Sequence, residues 1–289
     1  MRRSGSEQPS KLIIRSPAGL RPQPRSPPSR RSVSAPGNPR SSSEIVTVAN
    51  ARRVPSDRSA IAPARVLRAA RRSDQERALS LFAALKIAYP DAHCELNYRN
   101  PHELLVATIL SAQATDVSVN KVTPALFERF PTPAAYAASS PAEIEASIRS
   151  IGLFRNKARA IHEAMTTVMN RFGGRVPNSM AELLTLRGVA RKTANVVLSN
   201  AFGINEGVVV DTHVARLAVR LGLAPSGTPV AKIERRLMDL LPREDWGLAS
   251  HLLIWHGRRA CKARLPCCAD HPICHQFGRR CELRSTRGA

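Results

Sequence analysis

From Glu76 onward, apolar residues return every three or four positions, the period of a helix with one buried face. Helix punctuation marks the ends of these runs. Asn100 and Pro101 offer an N-cap and a proline at the first helical position, opening a helix over His102–Gln113. Ser140-Pro141-Ala142-Glu143 adds a capping box and opens a helix toward Ser150. A further amphipathic run covers Asn156–Phe172 and closes at Gly173-Gly174. Ser179–Glu182 reads as another capping box and Thr228-Pro229 as another N-cap pair. The apolar triplet Val208–Val210 is too short and isolated to build a sheet. The pattern predicts an all-α fold of many short helices, with no repeat at a period of about 20–50 residues.

Charge changes the picture unevenly. The 289 residues carry 44 Lys+Arg against 22 Asp+Glu, a formal +22, which favours a polyanionic partner and argues against acidic small-molecule substrates. Residues 1–75 hold 16 Lys+Arg, 4 Asp+Glu, 14 Ser and 10 Pro, with no aromatic residue and no cysteine. That composition predicts a disordered basic tail over 1–75, holding +12 of the charge. Three readings fit it: a basic arm adding salt-dependent DNA affinity, a start assigned too far upstream, or an organelle transit peptide. It has no apolar h-region for secretion. No run approaches the roughly 18 apolar residues of a membrane span.

The segment Leu183–Asn200 carries the first candidate chemistry. A short helix ends near Leu186, a glycine stands at 188, and a second helix starts near Arg191, the layout of a helix–hairpin–helix. Such a hairpin presents backbone N–H groups and a positive helix end to a phosphate without reading a base; it also fits an ordinary αα-hairpin. Lys192 falls in the first turn of that second helix, where acids are favoured over cations. Either it reaches into solvent, or, if partly buried, it loses proton affinity and becomes a nucleophile. Asp211, nineteen residues on, suits a plain N-cap or a cap that is also a catalytic carboxylate.

The strings Leu110–Lys121 (LSAQATDVSVNK), Ile151-Gly152-Leu153, Gly188 with Lys192–Asn195, Val210–His213 and the cysteine-rich end, taken in this order, resemble the endonuclease III family over roughly residues 76–281. The resemblance implies a six-helix domain with a helix–hairpin–helix over 94–204. It also implies a second helical domain, carrying an iron–sulfur cluster loop, from 76–93 and 205–289. It implies a monomeric base-excision enzyme of the bacterial cytoplasm and nucleoid. Acting on damaged double-stranded DNA, such an enzyme removes oxidised pyrimidines and cleaves the abasic strand. Lys192 falls on the family's catalytic lysine and Asp211 on its catalytic aspartate. Gln113 and Leu153 fall on the side chains that fill the gap left by the flipped base, with Ile151 beside them, for which core packing is the other reading. The hairpin departs from the family's Leu-Pro-Gly-Val-Gly. Here it reads Leu186-Arg187-Gly188-Val189-Ala190, which predicts weakened phosphate binding, a Cβ at a left-handed position, and a compensating contact from Arg187.

Five of the six cysteines fall within 261–281, and Cys94 stands apart as a core thiol. Nothing suggests secretion, so the cluster is no disulfide framework, and it lacks the Cys-x2-Cys pair usual for zinc. His256-Gly257-Arg258-Arg259 followed by Cys261 resembles the family's lead-in to a 4Fe-4S cluster. The family separates its ligands by six, two and five residues; here Cys261, Cys268, Cys274 and Cys281 give six, five and six. Insertions in two loops reconcile the patterns, with Cys267 as an alternative to Cys268 and His271 as a minor one. The cluster would hold a basic loop with Arg258, Arg259, Lys262 and Arg264 against DNA. Two other functions remain open: a monofunctional adenine glycosylase of the same superfamily, weakened by Lys192, and a non-catalytic DNA-binding or redox-sensing iron–sulfur protein.

Overall fold

In the computed structural model, residues 64–264 and 271–279 are described, with side chains from Ser73 onward. The bulk of the predicted tail, and Cys267, Cys268 and Cys281, therefore lie outside the described residues. Every regular element among the described residues is helical. The first, α1, spans Ala64–Ala88, so the helix takes in the last part of the segment expected to be disordered.

Seven helical segments then follow between residues 101 and 201, where six helices were expected. These are α2 (Pro101–Ser111), α3 (Asp116–Arg129), α4 (Pro133–Ala138), α5 (Pro141–Ser147), α6 (Phe154–Phe172), the single-turn α7 (Met180–Leu183) and α8 (Arg191–Ala201). The remainder comprises α9 (Thr212–Arg220), α10 (Val230–Leu240), a 3-10 turn at Arg243–Asp245, α11 (Trp246–Arg259) and α12 (Pro272–Phe277).

Caps explain most of the starts. Asn100, Thr115, Thr132, Ser140 and Asp211 each accept a backbone N–H from the first turn of the following helix. The reciprocal capping box forms at Ser140 and Glu143. At Ser179 only half of it forms: the hydroxyl accepts the Glu182 N–H, while the Glu182 carboxylate takes the hydroxyl's hydrogen rather than the Ser179 N–H. Thr228 is no cap, because its hydroxyl donates to Pro225 O and the helix begins one residue later at Val230.

Burial gathers into two hydrophobic cores. One is built on α2–α8, centred on Leu104, Leu105, Leu110, Leu126, Ile161 and Met165. The other joins α1 to α9–α12 through Leu81, Leu85, Leu217, Leu237, Leu252 and Leu253. The chain passes from the first to the second through Val208–Val210, which is buried and belongs to no regular element. Its Val209 N–H donates instead to Ser250 Oγ on α11 (2.9 Å).

Ile161 is fully buried in the first core. Ile161→Ala is expected to lower unfolding free energy by about 2–5 kcal/mol in urea titration, without changing the m-value.

Candidate functional site

Gly188 fixes the hairpin. It sits at φ +80°, and a Cβ there would stand 3.0 Å from Ala160 Cβ on α6, so this turn needs glycine for both conformation and space. Val189 is buried in the first core, and its N–H closes the turn on Leu186 O (3.2 Å). Ala190 takes φ −96°, ψ 171°, ordinary extended backbone. The expected left-handed strain at Ala190 is therefore absent, since Gly188 alone carries the positive φ of this turn. Arg187 is exposed and pairs with Glu163 on α6 through both carboxylate oxygens (2.8 Å).

Ala190 supplies no side-chain oxygen, so α8, unlike its capped neighbours, begins with its first-turn N–H groups uncapped. Lys192 lies in this turn and is exposed, so the partial burial considered from sequence is not met. It lines a cleft of about 380 Å³ together with Gln113, Asp116, Asp211, His251 and Arg258. Asp211 caps α9, with Oδ1 accepting the Val214 N–H (2.8 Å), and faces the same cleft. Cap and carboxylate in the cleft are thus one residue, and the hairpin lysine and the Val210–His213 aspartate come together.

Gln113 and Leu153 share a backbone peculiarity: they are the two non-glycine residues at positive φ among the described residues, at 55° and 60°. For a leucine this costs conformational energy that surrounding structure must hold in place. Leu153 is 55% exposed, and Gln113 is also exposed at the cleft. Ile151 is only 2% exposed in the first core; of its two readings, burial supports packing.

Glu95 and His251, which sequence reasoning missed, complete the cleft wall with Arg258 and Cys94. Arg258 Nη2 donates to Asp116 Oδ2 (2.8 Å), and Nη1 pairs with Glu95. Arg259 also reaches Glu95 (3.1 Å) and stacks over the Trp255 ring. Both arginines belong to α11 rather than to a loop, and each is paired with a carboxylate. Lys262 and Arg264 are exposed beyond the helix end. His251 Nε2–H donates to Asn200 Oδ1 (2.8 Å); burial and nearby His93 push its pKa down to about 4. Cys94 borders the cleft, its thiol pushed up to about 11 chiefly by burial.

Cys261 and Cys274 are buried in the second core. Arg220 Nη1 donates to Cys261 Sγ (3.4 Å). At Cys274 a chain of hydrogen bonds has one consistent direction. Ile273 N–H donates to His271 Nδ1 (3.3 Å), which leaves the hydrogen of that neutral ring on Nε2 to donate to Tyr89 Oη (3.2 Å). Tyr89 then donates to His256 Nδ1 (2.9 Å), and His256 Nε2 donates to Cys274 Sγ (3.2 Å). Burial, then the neighbouring His271, push the His256 pKa down to about 4 and keep its ring neutral. Sulfurs that receive N–H donors in an apolar setting fit thiolate ligands of an iron–sulfur cluster. Both His271 nitrogens are engaged elsewhere, so a thiolate set fits better than His271.

A fold in which a hairpin, a lysine and an aspartate meet at one cleft defines a class. Residues 106–243 match the family described as "HhH-GPD superfamily base excision DNA repair protein". Endonuclease III of Synechocystis sp. is 54% identical over 203 residues, 70% of this chain and 92% of that protein. Endonuclease III of Bacillus subtilis is 46% identical, over 64% of this chain and 84% of its own. A solved structure titled "Structure of a Trapped Endonuclease III-DNA Covalent Intermediate: Estranged-Adenine Complex" superposes with TM-score 0.69 at 44% identity, covering 73% of this chain and 98% of that one. The chain belongs to the endonuclease III family, and is a DNA glycosylase of base excision repair.

Gly188→Ala is expected to destabilise the protein by about 1–3 kcal/mol in denaturant titration, since it adds left-handed strain and a clash with Ala160.

Proposed function

We propose that this glycosylase is bifunctional, acting as a monomer on damaged duplex DNA to remove oxidised pyrimidines and then cleave the abasic strand. The observation that carries this reading is the convergence of Lys192 and Asp211 on one cleft beside an uncapped helix N-terminus. The trapped covalent intermediate of the related protein with DNA supports it, because a covalent protein–DNA adduct needs a nucleophile on the protein.

DNA would lie across the hairpin at Gly188, Val189 and Ala190, one phosphate taking the uncapped N–H groups at the start of α8 and of the turn, apart from Val189 N–H, which is already bonded to Leu186 O (3.2 Å). Arg187 lies close enough in sequence to add a charge-assisted contact when it turns from Glu163. Gln113 and Leu153 would enter the stack where the damaged nucleotide leaves it. Lys192 Nζ, as free amine, forms a bond to C1′ while the C1′–N bond breaks and its electron pair departs with the base. The Asp211 carboxylate accepts the amine proton and faces the positive charge that develops on the sugar. Ring opening gives a Schiff base between Lys192 and C1′. Loss of a C2′ proton then sends its electron pair into a new C2′–C3′ double bond and expels the 3′ phosphate, and water finally releases the lysine.

Cys261, Cys268, Cys274 and Cys281 would hold a 4Fe-4S cluster, Cys267 being the alternative to Cys268. When bound, the cluster supplies a rigid tie for the 261–281 segment. The chain's own residues supply the rest: Arg220 and the His271–Tyr89–His256 chain orient the two described sulfurs.

A monofunctional adenine glycosylase would have no use for the cleft lysine. Lys192→Ala is expected to abolish incision of thymine-glycol and abasic duplexes, while Asp211→Asn, whose side chain still caps α9, lowers it about 10²–10⁴-fold without a loss of stability. Incision unchanged in Lys192→Ala contradicts the reading.

A further inference from the structure

Helix α2 ends two residues before Gln113, and its last carbonyls lie beyond the reach of intrahelical donors. Three of them have short-range solutions. Thr108 O accepts the Ser111 hydroxyl (2.9 Å), Ile109 O accepts the Ala112 N–H (3.4 Å), and Ser111 O accepts the Ala114 N–H (3.1 Å). The fourth, Leu110 O, is met from far along the chain: Lys157 Nζ donates to it at 2.8 Å. The backbone N–H of the same lysine donates to Leu153 O (3.1 Å), closing the first turn of α6. One residue therefore touches the termini of both segments that hold a non-glycine residue at positive φ, Gln113 and Leu153.

We infer that Lys157 is a positioning residue, which clamps the end of α2 to the start of α6 and so sets Gln113 and Leu153 at matched depth for entering a base stack.

Lys157 stands on the apolar stripe of α6, in register with Ile161, Ala164 and Val168, where an aliphatic residue would be the default. It is 5% exposed. Among the described residues no carboxylate pairs with it, so the ammonium is held by the carbonyl and the negative end of α2. Burial pushes its pKa below the ordinary lysine value. A buried cation without a counter-charge is a costly means of stabilising a core, whereas it is a specific means of fixing a carbonyl. The expense is understandable if the alignment of the two loops is what the position provides.

This inference rests on the proposed function, and its test separates the two. Lys157→Met keeps the stem and removes the donor. Two substrates are compared in single turnover, a thymine-glycol duplex and single-stranded abasic DNA trapped with borohydride, the latter having no stack to open. Lys157→Met is expected to slow the duplex reaction about 10- to 100-fold and to leave single-strand trapping within about twofold of wild type. In a Gln113→Ala background the same substitution should cost the duplex reaction less, because one of the two groups it positions is gone. Equal loss on both substrates, or no loss on the duplex, overturns the inference while leaving the functional reading intact. A wild-type protein that neither incises nor traps overturns both. If Lys157→Met does not fold, Lys157→Arg, which displaces the cation, is read by the same split: loss confined to the duplex supports the inference, and any other pattern overturns it.

Discussion

The architecture of the cleft depends on one close approach, the backbone of Gly188 against α6. With the Ala160 methyl directly behind it, the turn can lie flat on the first core only because it has no side chain of its own. That packing sends the chain into α8 with Val189 anchored inward and Ala190 extended, so the helix starts at the surface with its N–H groups unclaimed. Lys192 then falls at the cleft mouth by helix geometry alone. Substituting Ala at 190 is harmless to this turn because the left-handed residue is two positions earlier.

The opposite wall is built by different means. Val208–Val210 leaves the first core as a buried segment pinned to α11, and it delivers Asp211 at the point where α9 begins. The carboxylate is thus fixed twice, by its cap bond and by the burial of the three valines before it. The Arg258 pairs with Glu95 and Asp116 tie α11 to the start of α3 and close the cleft around these two groups. Asn120 adds to this by holding the Glu95 carbonyl through its amide (2.7 Å). Charge therefore does two jobs: most of the excess suits a polyanion, while the arginines nearest the cleft are spent on architecture.

Local features were legible in the sequence because they are set by neighbours along the chain. The Asn100 cap with Pro101, the Ser140–Glu143 box and the glycine at 188 all depend on spacings of one to four residues. Pairings across the fold were not legible. Nothing near Thr228 announces that Pro225 O will claim its hydroxyl, and nothing near Arg258 announces Asp116. The motif strings placed Lys192 and Asp211, but the exposure of the lysine required the folded cleft. Lys157 did leave a mark, a lysine in step with Ile161, Ala164 and Val168 on an apolar stripe; what it binds, Leu110 O, lies forty-seven residues away.

In the proposed reaction the amine at the mouth of this cleft, and no other amine of the chain, reacts with the sugar. Peptide mass mapping of the protein reduced with borohydride on abasic DNA tests it most directly. The adduct is expected on Lys192; an adduct on another lysine or on the N-terminal amine contradicts the assignment.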